Sequence, residues 1–179
     1  MPSTADHRTN RRRRRAAIVA TASLALTIAL GVTAISPSHA QTPAPISVEV
    51  LTGRAQFTDD LSVKFRVKLD GMGTSVLNID DPSRTVVARI TVPPGAQFPW
   101  HMHPGPVIVN VAAGELVYVM AHDCTERTYP SGTAFVDPGN MVHTAFNSTG
   151  VDTVLVATFF DVPAEGPLTI TAGVTPGNC

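Results

Sequence analysis

The chain has 179 residues, of which 44% are hydrophobic and 15% are charged, and its formal net charge at pH 7 is −1. Residues 1–40 hold six of the 13 basic side chains and one of the 14 acidic ones, so residues 41–179 keep 7 basic against 13 acidic groups, a formal charge of −6. This acidic part argues against nucleic acid and anionic membrane surfaces as partners, since both bind clustered basic side chains, and it is long enough for one hydrophobic core.

The segment at residues 1–40 has the layout of a secretory signal. Arg11–Arg15 form a positive run, residues 16–35 are almost continuously apolar or small, and Ser38–Ala40 places small residues where a signal peptidase cleaves. We therefore predict a signal peptide over residues 1–40 and export of the remainder, which begins near Gln41, to the periplasm, the cell surface or the medium. An uncleaved membrane anchor is the alternative, because about 20 apolar residues can span a bilayer. The arginines before the apolar run also leave a twin-arginine route open beside the general secretory one.

After a flexible lead-in at residues 41–45, the chain is a succession of short β-type runs separated by Gly, Pro and Asp turn signals. These runs are Ile46–Leu51, Ser62–Leu69, Thr85–Val92, Val107–Ala112, Leu116–Met120, Thr133–Val136 and Thr153–Phe159. Beyond the lead-in, no segment of helical length shows an apolar period of 3.6 residues. The pattern predicts a single all-β domain over residues 46–179, built as an antiparallel sandwich or barrel.

Both cysteines, Cys124 and Cys179, lie in the part that we expect to be exported, where oxidising conditions permit a disulfide. A bridge between them would tie the last residue to the middle of the domain, and we predict that it forms. Two free thiols, or pairing between chains, are the alternatives. Neither cysteine lies near a histidine pair in sequence, so we expect no metal role for them.

Three of the four histidines beyond residue 40 form a pattern typical of a metal site: His101 and His103 are one residue apart, and His143 follows later. Two histidines at this spacing on a strand point to the same face, because side chains alternate with period two. A third histidine on a neighbouring strand would complete a three-nitrogen site for a divalent cation. We predict that His101, His103 and His143 are metal ligands. The alternative is that they are buried hydrogen-bonding residues without a metal.

Two stretches around these histidines resemble the motifs of the cupin family. The stretch Gly95–Gly114 follows the first motif, which consists of a glycine, five residues, His-x-His, three or four residues, a glutamate, six residues and a glycine, except that Val107 replaces the glutamate. The stretch Gly132–Asn147 follows the second motif, with Asn140 in place of its second glycine. Asn tolerates left-handed backbone nearly as well as glycine does. The resemblance implies a double-stranded β-helix, the cupin jelly-roll barrel, with the three histidines as ligands of a metal inside it.

The resemblance carries over no fourth ligand. Val107 cannot coordinate, and Glu115 follows the Gly114 turn, which should place it at the barrel rim. A site of three neutral imidazoles leaves the double charge of the cation uncompensated, so the ion attracts anionic ligands more strongly. Imidazole ligands suit iron, zinc, nickel and copper, and manganese less well.

We expect Gln97, Trp100, Val107 and Asn110 to line the pocket. Gln97 and Asn110 would be the only polar side chains near its mouth, and Trp100 is interpreted as a wall residue rather than a cation–π platform. We find no arginine, tyrosine or acid with an evident place beside the ligands. The sequence therefore predicts no second catalytic group.

The resemblance to three-histidine iron cupins implies a metal-dependent oxidoreductase, similar to dioxygenases, that acts on a small organic molecule. Two other functions stay open. One is a non-catalytic protein that binds a metal or a small ligand outside the cell, and the other is a structural barrel without metal. A small-molecule ligand is the expected partner, with no nucleic acid and no membrane after signal cleavage. By analogy with other small cupins, we also expect a homodimer.

Overall fold

The structure is a computed structural model that describes residues 42–173, 176, 177 and 179. The predicted signal segment at residues 1–40 lies outside the described residues. Within them the chain forms strands and turns but no helix, so none of this part could cross a membrane as a helix. The predicted all-β class is confirmed.

The described part of the chain contains twelve strands. They are β1 (Ser47–Gln56), β2 (Ser62–Val67), β3 (Ser75–Asp80), β4 (Arg84–Val92), β5 (His101–Met102), β6 (Val107–Ala113), β7 (Glu115–Met120), β8 (Glu126–Pro130), β9 (Ala134–Asp137), β10 (His143–Phe146), β11 (Thr153–Phe159) and β12 (Ile170–Thr171).

Two five-stranded antiparallel sheets enclose the core. The first sheet has the strand order β1-β4-β11-β6-β9 and the second has the order β12-β5-β10-β7-β8, while β2 and β3 form a separate hairpin. Most neighbours within a sheet are distant in sequence, so the chain crosses repeatedly between the two sheets. This is the double-sheet arrangement of a jelly roll.

The core forms because alternate side chains of each strand turn to the same face. β4 and β11 lie side by side in the first sheet, and both bury every second residue. β7 lies inside the second sheet and is buried along five consecutive residues, Leu116–Met120. The core side chains that these three strands share are Val86, Ala88, Ile90, Val92, Leu116, Tyr118, Met120, Leu155, Ala157 and Phe159.

Each of the seven β-type runs predicted from the sequence overlaps an observed strand, with ends that differ by up to five residues. The pattern does not predict β3, β5, β8, β10 and β12. β5 and β12 have only two residues each, and β10 is four residues long. β5 and β10 also carry buried histidines, which break the apolar alternation on which the prediction relies.

The predicted disulfide between Cys124 and Cys179 is present. It joins the last residue of the chain to the turn after β7. The segment that follows β11 is therefore held at both of its ends.

Asn147 ties together the chain segments behind β10. Its side chain is fully buried, and Nδ2 donates to the carbonyl oxygens of Val92 at 2.9 Å and Val151 at 2.7 Å. Its Oδ1 accepts from the backbone N–H of Thr149 at 2.9 Å and from the Thr149 hydroxyl at 2.8 Å. One amide therefore satisfies four polar groups where β4, β10 and β11 meet.

We predict that Asn147→Ala lowers the free energy of unfolding by about 2–4 kcal/mol, because buried backbone groups lose their partners. Urea unfolding followed by circular dichroism measures this change. Asn78→Ala, at an exposed position of β3, is the matched control and should change the free energy by less than about 0.5 kcal/mol. Equal effects of the two substitutions would show that the Asn147 hydrogen bonds do not stabilise the fold.

Candidate metal centre

The structure brings the three predicted ligands together. His101 and His143 lie directly opposite each other in the pairing of β5 with β10, and His103 follows two residues later on the same face. All three side chains are buried, and their ring centroids are 4.2 to 5.1 Å apart. One nitrogen of each ring lies within 4.8 Å of those of the other two.

Each of the three rings directs Nδ1 at a backbone carbonyl. The distances from Nδ1 to oxygen are 2.7 Å for His101 and Pro99, 2.8 Å for His103 and Leu168, and 3.0 Å for His143 and Met141. A carbonyl oxygen can only accept, so Nδ1 carries a proton in each ring and Nε2 is the atom left to face a cation. Histidine ligands of metals are commonly held in this way. The three Nε2 atoms are therefore the donors that the site can offer to a cation.

These donors fit a divalent metal. Nitrogens bound to one zinc ion at about 2.0–2.1 Å cannot be more than about 4.2 Å apart, so ring shifts of less than about 1 Å bring all three into range. Burial lowers the pKa of His101 and His143 to about 4, and for His101 the neighbouring His143 adds to this effect. Both rings are neutral at pH 7, which is the form that coordinates.

We predict that in metal-free protein the imidazole C–H resonances of His101 and His143 keep their neutral positions at pH 6 and titrate near pH 4. NMR titration measures this directly. In the unfolded chain the same groups bind protons with the ordinary histidine pKa of 6.5, so the unfolded state holds more protons between about pH 4 and 6.5. The contribution of these rings to stability is therefore complete above this window and is lost as the pH falls through it. Titration of both rings near 6.5 would contradict the burial argument.

A buried carboxylate, Asp137, also lies at this centre and was not predicted. Its side chain is 2% exposed, and Oδ2 lies 3.0 Å from Nε2 of His143. The Tyr118 hydroxyl donates to Oδ2 at 3.2 Å, and the Gly139 backbone N–H donates to Oδ1 at 2.6 Å. The expectation that no acid or tyrosine lies beside the ligands is therefore wrong. The signal was present in the sequence, because Phe135 and Asp137 are two residues apart on one strand and must share its inner face.

The contact between Asp137 and His143 is electrostatically unusual. Burial raises the pKa of the Asp137 carboxyl, although the nearby histidines and the hydrogen bonds from Gly139 and Tyr118 oppose this effect. Burial also lowers the pKa of His143. Both shifts favour uncharged partners when no metal is bound. Burial is the main cause that raises the pKa of Tyr118, and the nearby Asp137 raises it further, so the Tyr118 hydroxyl stays protonated.

A cavity of about 330 Å³ extends from the three histidines into the barrel. Most of its walls are apolar and come from both sheets. Residues 167–169, just before β12, also line it. Apart from the histidines, the polar side chains among the described residues that line the cavity are those of Tyr118, Asp137 and Thr169. Its principal apolar wall residues are Ile90, Phe98, Val107, Val109, Leu116, Phe135, Leu155 and Phe159.

Of the four wall residues predicted from the sequence, Val107 lines this cavity, whereas Gln97, Trp100 and Asn110 are not among its lining residues. Asn110 lies on the outer face of β6, since Val107, Val109 and Val111 occupy the inner face, and its Nδ2 donates to the Val156 carbonyl. Gln97 is exposed and donates to the Thr144 hydroxyl at 3.2 Å. These placements correct the expectation that Gln97 and Asn110 supply the polar groups of the pocket.

The family model named Cupin_2, the cupin domain, matches residues 88–159 of the chain. This region contains the three histidines and Asp137. Over these residues the chain is similar to the cupin domain. No curated protein matches the chain.

Several solved structures have a similar fold. An oxalate oxidase is 25% identical, with a TM-score of 0.42 over 49% of this chain and 46% of its own length. The cupin domain of an XRE family transcriptional regulator from Enterobacter cloacae is 17% identical, with a TM-score of 0.44 over 66% and 97% of the two chains. A cupin-like protein from Thermotoga maritima is 27% identical, with a TM-score of 0.41 over 50% and 75%. The match thus spans less than half of the oxalate oxidase.

Proposed function

We propose that this protein is exported through the signal segment at residues 1–40, binds one divalent metal ion through His101, His103 and His143, and oxidises a small organic molecule in a dioxygenase-like reaction. The observation that carries this proposal is the convergence of three buried imidazoles, each held at Nδ1 by a backbone carbonyl so that Nε2 is left for a cation. Iron is the ion that this reaction favours, and zinc, nickel, copper and manganese are the other candidates. The proposal includes the homodimer expected from the sequence.

The cavity supports a small-molecule substrate. Its volume of about 330 Å³ is at the lower end of the range for ligand pockets, so it suits a compact molecule. The apolar walls exclude water and accept an apolar body, while Asp137 contacts His143 and Tyr118 contacts Asp137, which places these two polar side chains beside the histidines. A redox-active ion bound there would supply the chemistry with oxygen, and the chain would hold and orient the substrate against it.

A second function, non-catalytic binding of a metal or small ligand outside the cell, is favoured by the character of the same walls. Only Tyr118, Asp137 and Thr169 add polar side chains to the histidines among the described lining residues. Asp137 and Tyr118 already contact each other. Few groups are therefore left to move a substrate proton, which a binding protein does not need to do.

We predict that the purified protein binds one divalent ion per chain and that His101→Ala and His143→Ala each weaken zinc binding by about 100-fold or more, since each removes one of three ligands. Isothermal titration with zinc and elemental analysis by mass spectrometry measure affinity and stoichiometry. The matched control is His122→Ala, because His122 is an exposed histidine outside the cluster. Unchanged stoichiometry in the two ligand variants would refute the site.

We predict that the iron-loaded protein consumes oxygen in the presence of at least one compound from a panel of thiols, flavonols, diketones and phenolic acids. An oxygen electrode measures the uptake. His143→Ala should abolish it, whereas His122→Ala should leave it unchanged, because only His143 lies in the cluster. Iron binding without uptake for any compound in the panel would favour the non-catalytic function.

A further inference from the structure

Asp137 lies on the neighbouring strand, directly opposite the position where the cupin motif has its glutamate. Val107 occupies that position on β6, and in the pairing of β6 with β9 its direct partner is Asp137. Residues directly opposite each other in an antiparallel pair turn their side chains to the same face. Both side chains accordingly are buried, at 1% and 2% exposure, and both line the histidine cavity.

The surroundings of Asp137 lack a fixed positive charge. In the described part of the chain, the only basic group within ion-pair distance of this carboxylate is the imidazole of His143, which is neutral at pH 7. Tyr118 and Gly139 contribute neutral hydrogen bonds. A buried carboxylate is costly unless a cation compensates it. A divalent ion held by the three Nε2 atoms would provide that compensation.

From these contacts we infer that Asp137 is a fourth protein ligand of the metal centre and replaces, from the neighbouring strand, the glutamate that the motif places at position 107. The inference rests on the proposed metal site. The distance from Asp137 to one histidine is that of neighbouring ligands: two donors on adjacent corners of an octahedron, each about 2.1 Å from the ion, are about 3.0 Å apart, and Oδ2 of Asp137 and Nε2 of His143 are separated by 3.0 Å. Asp137 is not part of the group whose donor atoms all lie within 4.8 Å of one another, so its carboxylate has to move toward the ion when the metal binds.

A carboxylate ligand changes the electrostatics expected of three imidazoles alone. It cancels one of the two positive charges of the ion, so the centre holds the cation more tightly and attracts anionic ligands less. The mixed nitrogen and oxygen set also suits manganese and iron better than imidazoles alone do.

The competing explanation is that Asp137 only shapes its own turn, where Oδ1 accepts from the Gly139 N–H. Asp137→Asn separates the two roles. The asparagine keeps an oxygen for the Gly139 N–H and places an amide nitrogen, which does not coordinate, toward His143. The turn is preserved while the ligand is lost.

The experiment titrates cobalt(II) into the wild-type protein and its variants, and records both affinity and the visible absorption spectrum. We expect Asp137→Asn to weaken cobalt binding by about tenfold or more and to change the spectrum, because the ion loses one ligand. The double variant Val107→Glu, Asp137→Asn returns a carboxylate to the same face from β6 and should recover most of the lost affinity. Asp152→Asn, at an exposed turn, is the matched control and should behave as the wild type.

The outcomes are distinct. If the wild type binds cobalt and Asp137→Asn binds it with the same affinity and the same spectrum, Asp137 is not a ligand, although the three-histidine site stands. If the wild type binds no cobalt, the metal site and the inference both fail. A crystal structure of the cobalt-loaded wild type decides the question without any variant: an Asp137 oxygen within about 2.0–2.2 Å of the ion supports the inference, and a separation beyond about 3 Å overturns it.

Discussion

The centre depends on the carbonyl oxygens that hold the three imidazole rings. For His101 and His143 the acceptor is the carbonyl two residues earlier in the same segment, so the loop before each strand sets the orientation of the ring. His103 depends instead on Leu168, which is 65 residues away. β12 pairs with β5 immediately after this contact, and the Cys124–Cys179 disulfide anchors the end of the chain. The C-terminal segment is thus part of the centre rather than a cover laid over it.

Close backbone packing brings the two motif loops to the same place. A Cβ atom on Gly139 would lie 2.5 Å from the carbonyl group of Gly105, so the loops can approach only because residue 139 is a glycine. Asn140 then adopts φ +51° and donates its backbone N–H to the His103 carbonyl at 2.8 Å. This packing fixes the end of β9 against the start of β6. It places the side chain of Asp137 beside the histidines.

Much of the architecture could be predicted because it follows from period-two alternation and turn residues. The left-handed backbone at Asn140 was expected instead from the resemblance to the second cupin motif, and the bridge between the cysteines from their place in the part of the chain predicted to be exported. The short strands β5 and β10 were not predicted, since their pattern is interrupted by the polar residues that serve the site. The cavity walls were predicted poorly, because residues close to the histidines in sequence were assumed to be close to them in space. Asn110 is three residues from Val107, and an odd spacing on a strand turns the two side chains to opposite faces of the sheet.

Asp137 shows why a motif in the linear sequence is an incomplete description of a site on a sheet. The motif specifies the glutamate by its number of residues from the histidines along the chain. Coordination depends instead on where the carboxylate lies in space, that is, on the face of the sheet and the position along the barrel from which it points. The side chains of two residues that lie directly opposite each other on neighbouring strands point to the same face of the sheet and lie close together. The loss of a ligand at Val107 can therefore be compensated at Asp137, on the neighbouring strand β9, without any change in the fold. A ligand that moves from one strand to the next in this way is found by comparing strand register, and a comparison of sequence spacing alone misses it.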